Sequence, residues 1–311
     1  MIIVETAPDT PTAVNGPLTQ TEQNDKKRAP MRQKAYTYPR DFLDNRFVYT
    51  VISPRAHGLS VGVNMNPDKR CNFGCLYCEV DRSAPSAELN LNVDVMAAEL
   101  RKTLSLVAQG KLTERPWYQL LPRELLQLRH VALSGDGEPT IAPNFAQAVE
   151  AVVHIRALGE LPFFKIVLLT NAVGLDLPQV QAGLSHFTKS DEIWAKLDGG
   201  TQEYLNRLAR PNDIKLEKVL SNILLVARQR PVVIQSLFPA INGEEPPLLE
   251  IEEYAHRLRE LREAGAHISL VQIYSATRPT TRPECGHLPL KTLSHIAQSV
   301  RQIAGLKAEV F

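Results

Sequence analysis

The stretch Arg70-Cys71-Asn72-Phe73-Gly74-Cys75-Leu76-Tyr77-Cys78 constrains this chain more than any other, because it gathers three of the four cysteines within eight residues. Three thiolates are one fewer than a structural zinc site uses. An iron–sulfur cluster held by three thiolates keeps one metal corner open for a cofactor or substrate. A zinc ion completed by Cys285 or a distant histidine would use the same residues, and so would a set of small buried hydrophobes. A glycine-containing loop with charged flanks suits core packing poorly. A disulfide needs an oxidising compartment, and no secretory segment precedes the loop.

Charge narrows little else. The 35 lysines and arginines nearly balance 34 aspartates and glutamates, for a formal net charge of +1, so bulk charge announces neither a nucleic acid nor a membrane. The opening Met1-Ile2-Ile3-Val4-Glu5 lacks the basic region and long apolar core of a signal peptide, and no later run is long enough to span a bilayer. The expectation is a cytoplasmic, reducing setting with no membrane partner.

At 311 residues the chain has room for one large α/β domain or two smaller ones. Residues 1–40 mix Pro, Thr, Asn and Gln with few large apolar residues, too little burial to offset the entropy of ordering, and are expected to form a flexible N-terminal arm. Its basic residues, Lys26 to Arg40, make a solvated tail or a contact for nucleic acid or an acidic partner. From residue 41 to 311 a single catalytic domain is expected. Strand-like runs fall at Phe47–Val51, Leu59–Asn64, His130–Ser134, Phe163–Leu169, Glu192–Asp198, Val232–Phe238 and Ile268–Tyr274. Helical periodicity follows most of them, as in Met96, Leu100 and Leu104, and the last helix is expected to run from Leu290 through Ala304. Gln109 to Gln127, broken by Pro116 and Pro122, reads as an insertion or extended connection. Strands alternating with helices argue for parallel βαβ units, about six of them.

Within these runs, Lys196 and Asp198 lie two apart and share one face of their strand. A charged pair facing a barrel mouth is hard to justify as packing, so Asp198 is expected to meet cofactor or substrate. Gln235, with Ser236, Gln272 and Tyr274, is polar late in an apolar strand and is a candidate for ligand contact. Cys285 and Tyr274 are candidate catalytic residues, Cys285 being otherwise a bystander loop thiol.

The Cys-x3-Cys-x2-Cys spacing, with Tyr77 before the last cysteine, resembles the cluster loop of the radical S-adenosylmethionine superfamily. The resemblance implies a partial (βα)6 barrel of parallel strands, with a 4Fe-4S cluster on Cys71, Cys75 and Cys78. It also implies S-adenosylmethionine on the free iron, split to a 5′-deoxyadenosyl radical by an electron from a donor such as flavodoxin or ferredoxin. Ser134-Gly135-Asp136-Gly137-Glu138 resembles the superfamily's glycine-glycine-glutamate loop, with Asp136 where glycine is frequent. Gly135, Gly137 and Glu138 are then cofactor-binding, Glu138 toward the amino group. Thr170-Asn171 resembles a Thr-Asn-Gly element and places Asn171 near ribose or substrate. Arg210-Pro211 resembles an Arg-Pro element whose guanidinium matches the methionyl carboxylate, the alternative being a surface ion pair.

Pro54-Arg55, Asn64 to Asn66 and Tyr274 to Pro279 resemble the wyosine-synthase-related branch, which acts on transfer RNA. That branch holds a second cluster on N-terminal cysteines, and none precedes Cys71 here. Three functions stand at this point: a radical enzyme acting on a small molecule, peptide or tRNA base; an activase installing a glycyl radical on a partner protein; and a non-catalytic metal-binding module.

Overall fold

Short β-branched runs and longer helical runs alternate into an eight-stranded sheet in the computed structural model, which describes residues 42–86, 88–278 and 280–311. The arm expected over residues 1–40 lies outside them. In chain order the strands are β1 (Val48–Ser53), β2 (Gly58–Asn64), β3 (Leu128–Ser134), β4 (Lys165–Thr170), β5 (Glu192–Lys196), β6 (Val232–Leu237), β7 (Ala240–Ile241), β8 (Ile268–Tyr274), β9 (Cys285–Gly286) and β10 (Ala308–Val310). The sheet order is β1-β2-β3-β4-β5-β6-β8-β10, and β7 pairs with β9 in a separate ribbon. All pairings from β2 to β10 in the large sheet are parallel, while β1 runs antiparallel to β2. Each of β2, β3, β4, β5, β6 and β8 is followed by helix before the next strand of that sheet. The result is an open, partial (βα)6 barrel, with β10 added past the sixth unit.

Period-two alternation sorts the strands into two faces. Val61, Val63, Val131, Leu133, Ile166 and Leu168 form an aliphatic face under the helices, packed by Met96, Leu100, Phe145, Val149 and Ile223. The intervening positions, among them Ser60, His130, Ser134, Lys196, Gln235 and Gln272, line the inside of the curl. Gly62 is on that inner face, opposite Tyr49. The Tyr49 ring fills the place of a Cβ there, 2.2 Å from its ideal position, and its hydroxyl meets Ser134 Oγ at 2.7 Å.

The curl brings the two edges of the sheet together. His57, in the turn after β1, has its ring centroid 5.7 Å from that of Phe311, the residue after β10. The Arg55 guanidinium from the same turn lies 4.1 Å from the Tyr274 ring centroid on β8. Among the described residues no backbone ladder joins β1 to β10.

Several elements differ from the sequence expectation. The 109–127 connection contains two 3-10 turns, Lys111–Glu114 and Arg123–Leu126. It packs Tyr118 against Phe42, Ile52 and Leu59 in a satellite core, with the Tyr118 hydroxyl 2.5 Å from Thr50 Oγ1. The last helix is α-helical only over Leu290–Ser299 and continues as a π turn, Val300–Ala304. The helix Gln202–Leu208 and strand β10, of 7 and 3 residues, are too short to show a period in the sequence.

At the amino end of the parallel strands, Asp191 ties β4 to β5. Its buried carboxylate accepts from Arg156 Nη1 at 2.6 Å and Nη2 at 3.0 Å. It also accepts from Ile166 N at 2.8 Å and from Thr188 N and Oγ1 at 2.7 and 2.9 Å. Burial opposes the charge, but the Arg156 fork and the backbone donors outweigh it and hold the carboxyl below its ordinary range. Stability from this residue is therefore complete above an unfolded pKa of about 3.9 and is lost as pH falls through the lower folded value. Asp191→Ala is expected to cost roughly 3–5 kcal/mol, because it strands a buried guanidinium. Urea unfolding at pH 7 checks this, and a midpoint equal to wild type would refute it.

Candidate functional site

The cysteine loop follows β2 directly. Phe73 and Leu76 send its apolar positions into the core, so Cys71, Cys75 and Cys78 stay partly exposed. Gly74 N donates to Ala209 O and Leu76 N to Leu208 O, both at 2.9 Å. Arg82 Nη1 donates to Phe73 O at 2.8 Å, while Thr281 N and Oγ1 donate to Cys78 O at 3.2 and 3.1 Å. Segments far apart in sequence thus hold the loop in one shape. Burial pushes the Cys75 thiol up to about 12. Burial also raises Cys71, and the Glu138 charge adds to it. Such thiols become thiolates when a bound metal supplies the missing positive charge. Among the described residues no three Cys, His, Asp or Glu side chains converge on a single ion. The three thiols share one clamped loop, and thiolate sulfur is a donor suited to iron or zinc.

The loop after β3 presses on this segment. An added Cβ on Gly135, whose φ is +140°, would lie 2.2 Å from Asn64 Oδ1, and one on Gly137 would lie 1.8 Å from Arg70 O. The two glycines allow close contact with the exit of β2 and the start of the cysteine loop. Glu138 N donates to Arg70 O at 3.0 Å. The Glu138 carboxylate is buried: Oε1 accepts from Thr140 N at 3.1 Å, Thr140 Oγ1 at 2.6 Å and Thr170 Oγ1 at 2.5 Å, and Oε2 accepts from Asn171 N at 2.7 Å. Burial raises its pKa against those four donors. Its structural role is to join the ends of β3 and β4. Asn171 Nδ2 then donates to Asn72 Oδ1 at 2.5 Å and lies 4.0 Å from Cys71 Sγ.

A second network crosses the carboxyl ends of β5, β6 and β8. Lys196 Nζ is 3.1 Å from Asp198 Oδ1 and donates to the Tyr274 hydroxyl at 3.0 Å. The Tyr77 hydroxyl donates to Asp198 Oδ2, and Leu237 N donates to Asp198 Oδ1 at 2.8 Å. Burial would lower the Lys196 pKa, yet the Asp198 charge prevails and raises it. Burial first, and Asp198 second, push Tyr77 well above its usual value. Gln235, paired with Lys196 in register, donates from Nε2 to Gln272 Oε1 at 2.9 Å, and both amides are buried.

Arg210 meets the alternative named for it: its guanidinium forms an ion pair with Glu284 at 3.2 Å. Its carbonyl accepts from Gly74 N at 3.3 Å. Cys285 pairs with Ile241 on the β7–β9 ribbon, and burial raises its thiol pKa. Inside the curl is a cavity of about 150 Å³ whose lining includes Ser53, Arg55, His130, Ser134, Gly137 and Arg278. His130 was hidden in the sequence as an ordinary strand residue, and Arg55 stood out only through its Pro-Arg pair.

No protein-family model matches the chain. Among solved structures, TYW1 with a lysine-pyruvate adduct bound superposes with a TM-score of 0.53 and 14% identity, over 92% of this chain and 90% of that one. SuiB of Streptococcus suis bound to S-adenosylmethionine superposes with a TM-score of 0.56 and 13% identity, over 94% of this chain and 55% of that one. The chain has the fold of the radical S-adenosylmethionine enzymes. By sequence it is similar to a UPF0026 protein of Synechocystis, 29% identical over 178 residues, which are 57% of each chain. A UPF0026 protein of Helicobacter pylori strain J99 is 23% identical over 229 residues, 72% of this chain and 66% of that one. The chain thus spans between about half and two thirds of the length of these relatives. No helix among the described residues is long and apolar enough to cross a membrane.

Removing the Glu138 carboxylate leaves buried donors of Thr140, after β3, and of Thr170 and Asn171, at the end of β4, without an acceptor. Glu138→Ala is expected to lower unfolding stability by at least ~1–3 kcal/mol, read from urea denaturation. An unchanged midpoint would show that the four hydrogen bonds contribute nothing.

Proposed function

We propose that this chain is a radical S-adenosylmethionine enzyme that takes a hydrogen atom from a substrate held inside the curl of its sheet. The supporting observation is the clamped loop of Cys71, Cys75 and Cys78, set at the carboxyl ends of parallel strands beside a polar cavity. In α/β barrels the reacting groups collect at that end. Cys71, Cys75 and Cys78 would hold a 4Fe-4S cluster, and S-adenosylmethionine would sit against Gly135, Gly137, Asn171 and Asp198. When bound, the pair supplies a deoxyadenosyl radical, with the electron coming from a low-potential protein such as flavodoxin or ferredoxin.

The chain's own residues do the rest by positioning. Phe73 and Leu76 seal the underside of the loop against water. Asp198 is held by three donors and cannot swing away from the Cys75 side of the site. Tyr274, with its hydroxyl on Lys196, stands on the inner face, where it can return a hydrogen atom to a substrate radical. Cys285 stands instead on the β7–β9 ribbon beside Thr280.

Anaerobic reconstitution with iron and sulfide is expected to give a paramagnetic cluster on reduction, and deoxyadenosine once S-adenosylmethionine and dithionite are added. Cys71→Ala, Cys75→Ala and Cys78→Ala should each abolish both signals, while Cys285→Ala keeps the cluster. A colourless zinc protein, or full cluster content in any of the first three variants, would overturn the reading.

A further inference from the structure

The cavity inside the curl has a chemistry that a radical reaction alone does not explain. Its charged lining is cationic: Arg55 arrives from the turn after β1 and Arg278 from the segment after β8, and no aspartate or glutamate is among its described lining residues. The other polar groups there are largely hydroxyls, from Tyr49, Ser53, Ser60 and Ser134. Arg278 is paired with Glu79 at 2.9 Å. Arg55 lies over the Tyr274 ring at 4.1 Å, and its Nε is buried with no hydrogen-bond partner. A buried guanidinium donor without an acceptor is costly, and its planar fork is shaped for an oxyanion.

The nearby acids have donors of their own. Asp136 accepts from Asn64 at 2.8 Å. Glu192 accepts from Lys165 and from Trp194 Nε1, each at 2.7 Å. Asp198 is bound to Lys196. His130 is buried, and that burial, with Lys165 and Arg55 close by, pushes its pKa down to about 3. Its imidazole is therefore neutral at pH 7 and offers a hydrogen bond without a further charge.

We infer that this cavity binds a small organic oxyanion, a carboxylate or a phosphonate, with Arg55 as its main anchor, and that this anion is the substrate of the radical site. The role as substrate rests on the function proposed above, whereas the binding itself does not. A volume of about 150 Å³ is that of a cavity able to hold benzene, about six non-hydrogen atoms. A three-carbon acid fits.

Isothermal titration of the full chain, before and after cluster reconstitution, with lactate, methylphosphonate and neutral glycerol tests this. Lactate or methylphosphonate is expected to bind saturably at one site, and the stronger of the two identifies the oxyanion. Glycerol should bind at least about tenfold more weakly. Arg55→Gln should weaken the anion about tenfold or more, equivalent to ~1.4 kcal/mol, with the iron content of wild type. Arg55→Lys should recover part of the affinity, and with glycerol it decides the matter if Arg55→Gln does not fold. Absence of binding by both anions, equal binding of glycerol, or wild-type affinity in Arg55→Gln overturns the inference. Deoxyadenosine formation without anion binding overturns this inference and leaves the radical reading standing. Anion binding by a chain that assembles no cluster upholds the site and overturns the radical reading.

Discussion

A lysine buried at the mouth of a sheet keeps its charge only if a carboxylate is close by. Lys196 has Asp198 at 3.1 Å, and much of the site is arranged around that pair. Asp198 takes the Tyr77 hydroxyl from the cysteine loop and the Leu237 amide from the end of β6. Lys196 gives a hydrogen bond to Tyr274 at the end of β8, and the Tyr274 ring in turn carries Arg55. One ion pair therefore connects the cysteine loop, three strands and the cavity wall. Its desolvation is costly, and the returns are geometric: every group it touches has a single direction in which to point.

The two ends of the parallel sheet divide the tasks between them. At the amino end, Asp191 and Arg156 satisfy each other and the Ile166 amide of β4. At the carboxyl end, partners are shared among chemistry-bearing groups, with Tyr77, Lys196 and Leu237 on Asp198 and Thr140, Thr170 and Asn171 on Glu138. The contrast agrees with the barrel rule that one rim stabilises and the other reacts.

Much of this was legible in the residues. The alternation of strand and helix periods told the parallel architecture, and the cysteine spacing singled out the loop that leaves the carboxyl end of β2. Lys196 and Asp198, two apart on one strand, announced their common face, and the structure shows them paired. The partners of single residues were less legible. Glu138 stood out as a ligand for the cofactor, and the structure adds Thr140, Thr170 and Asn171 as donors to its carboxylate. Gly135 and Gly137 looked like a place for a ligand to approach, and the close neighbours turned out to be Asn64 and Arg70. Both cases depend on contacts between segments distant in the chain, which no local pattern encodes. His130 and Arg55 were obscure for the same reason, because a cavity is a property of strands brought side by side.

The meeting of His57 with Phe311 and of Arg55 with Tyr274 makes the curled sheet a hoop fastened by a clasp. A closed barrel is sealed by a ladder of backbone hydrogen bonds, and its bore is set by strand number and stagger. Here the seam is two side-chain contacts, of which the cation–π contact is worth on the order of 0.5–2 kcal/mol. The ring attracts the guanidinium through its π face, whereas an oxyanion would use the N–H edge, so the same side chain can fasten the seam and face the interior at once.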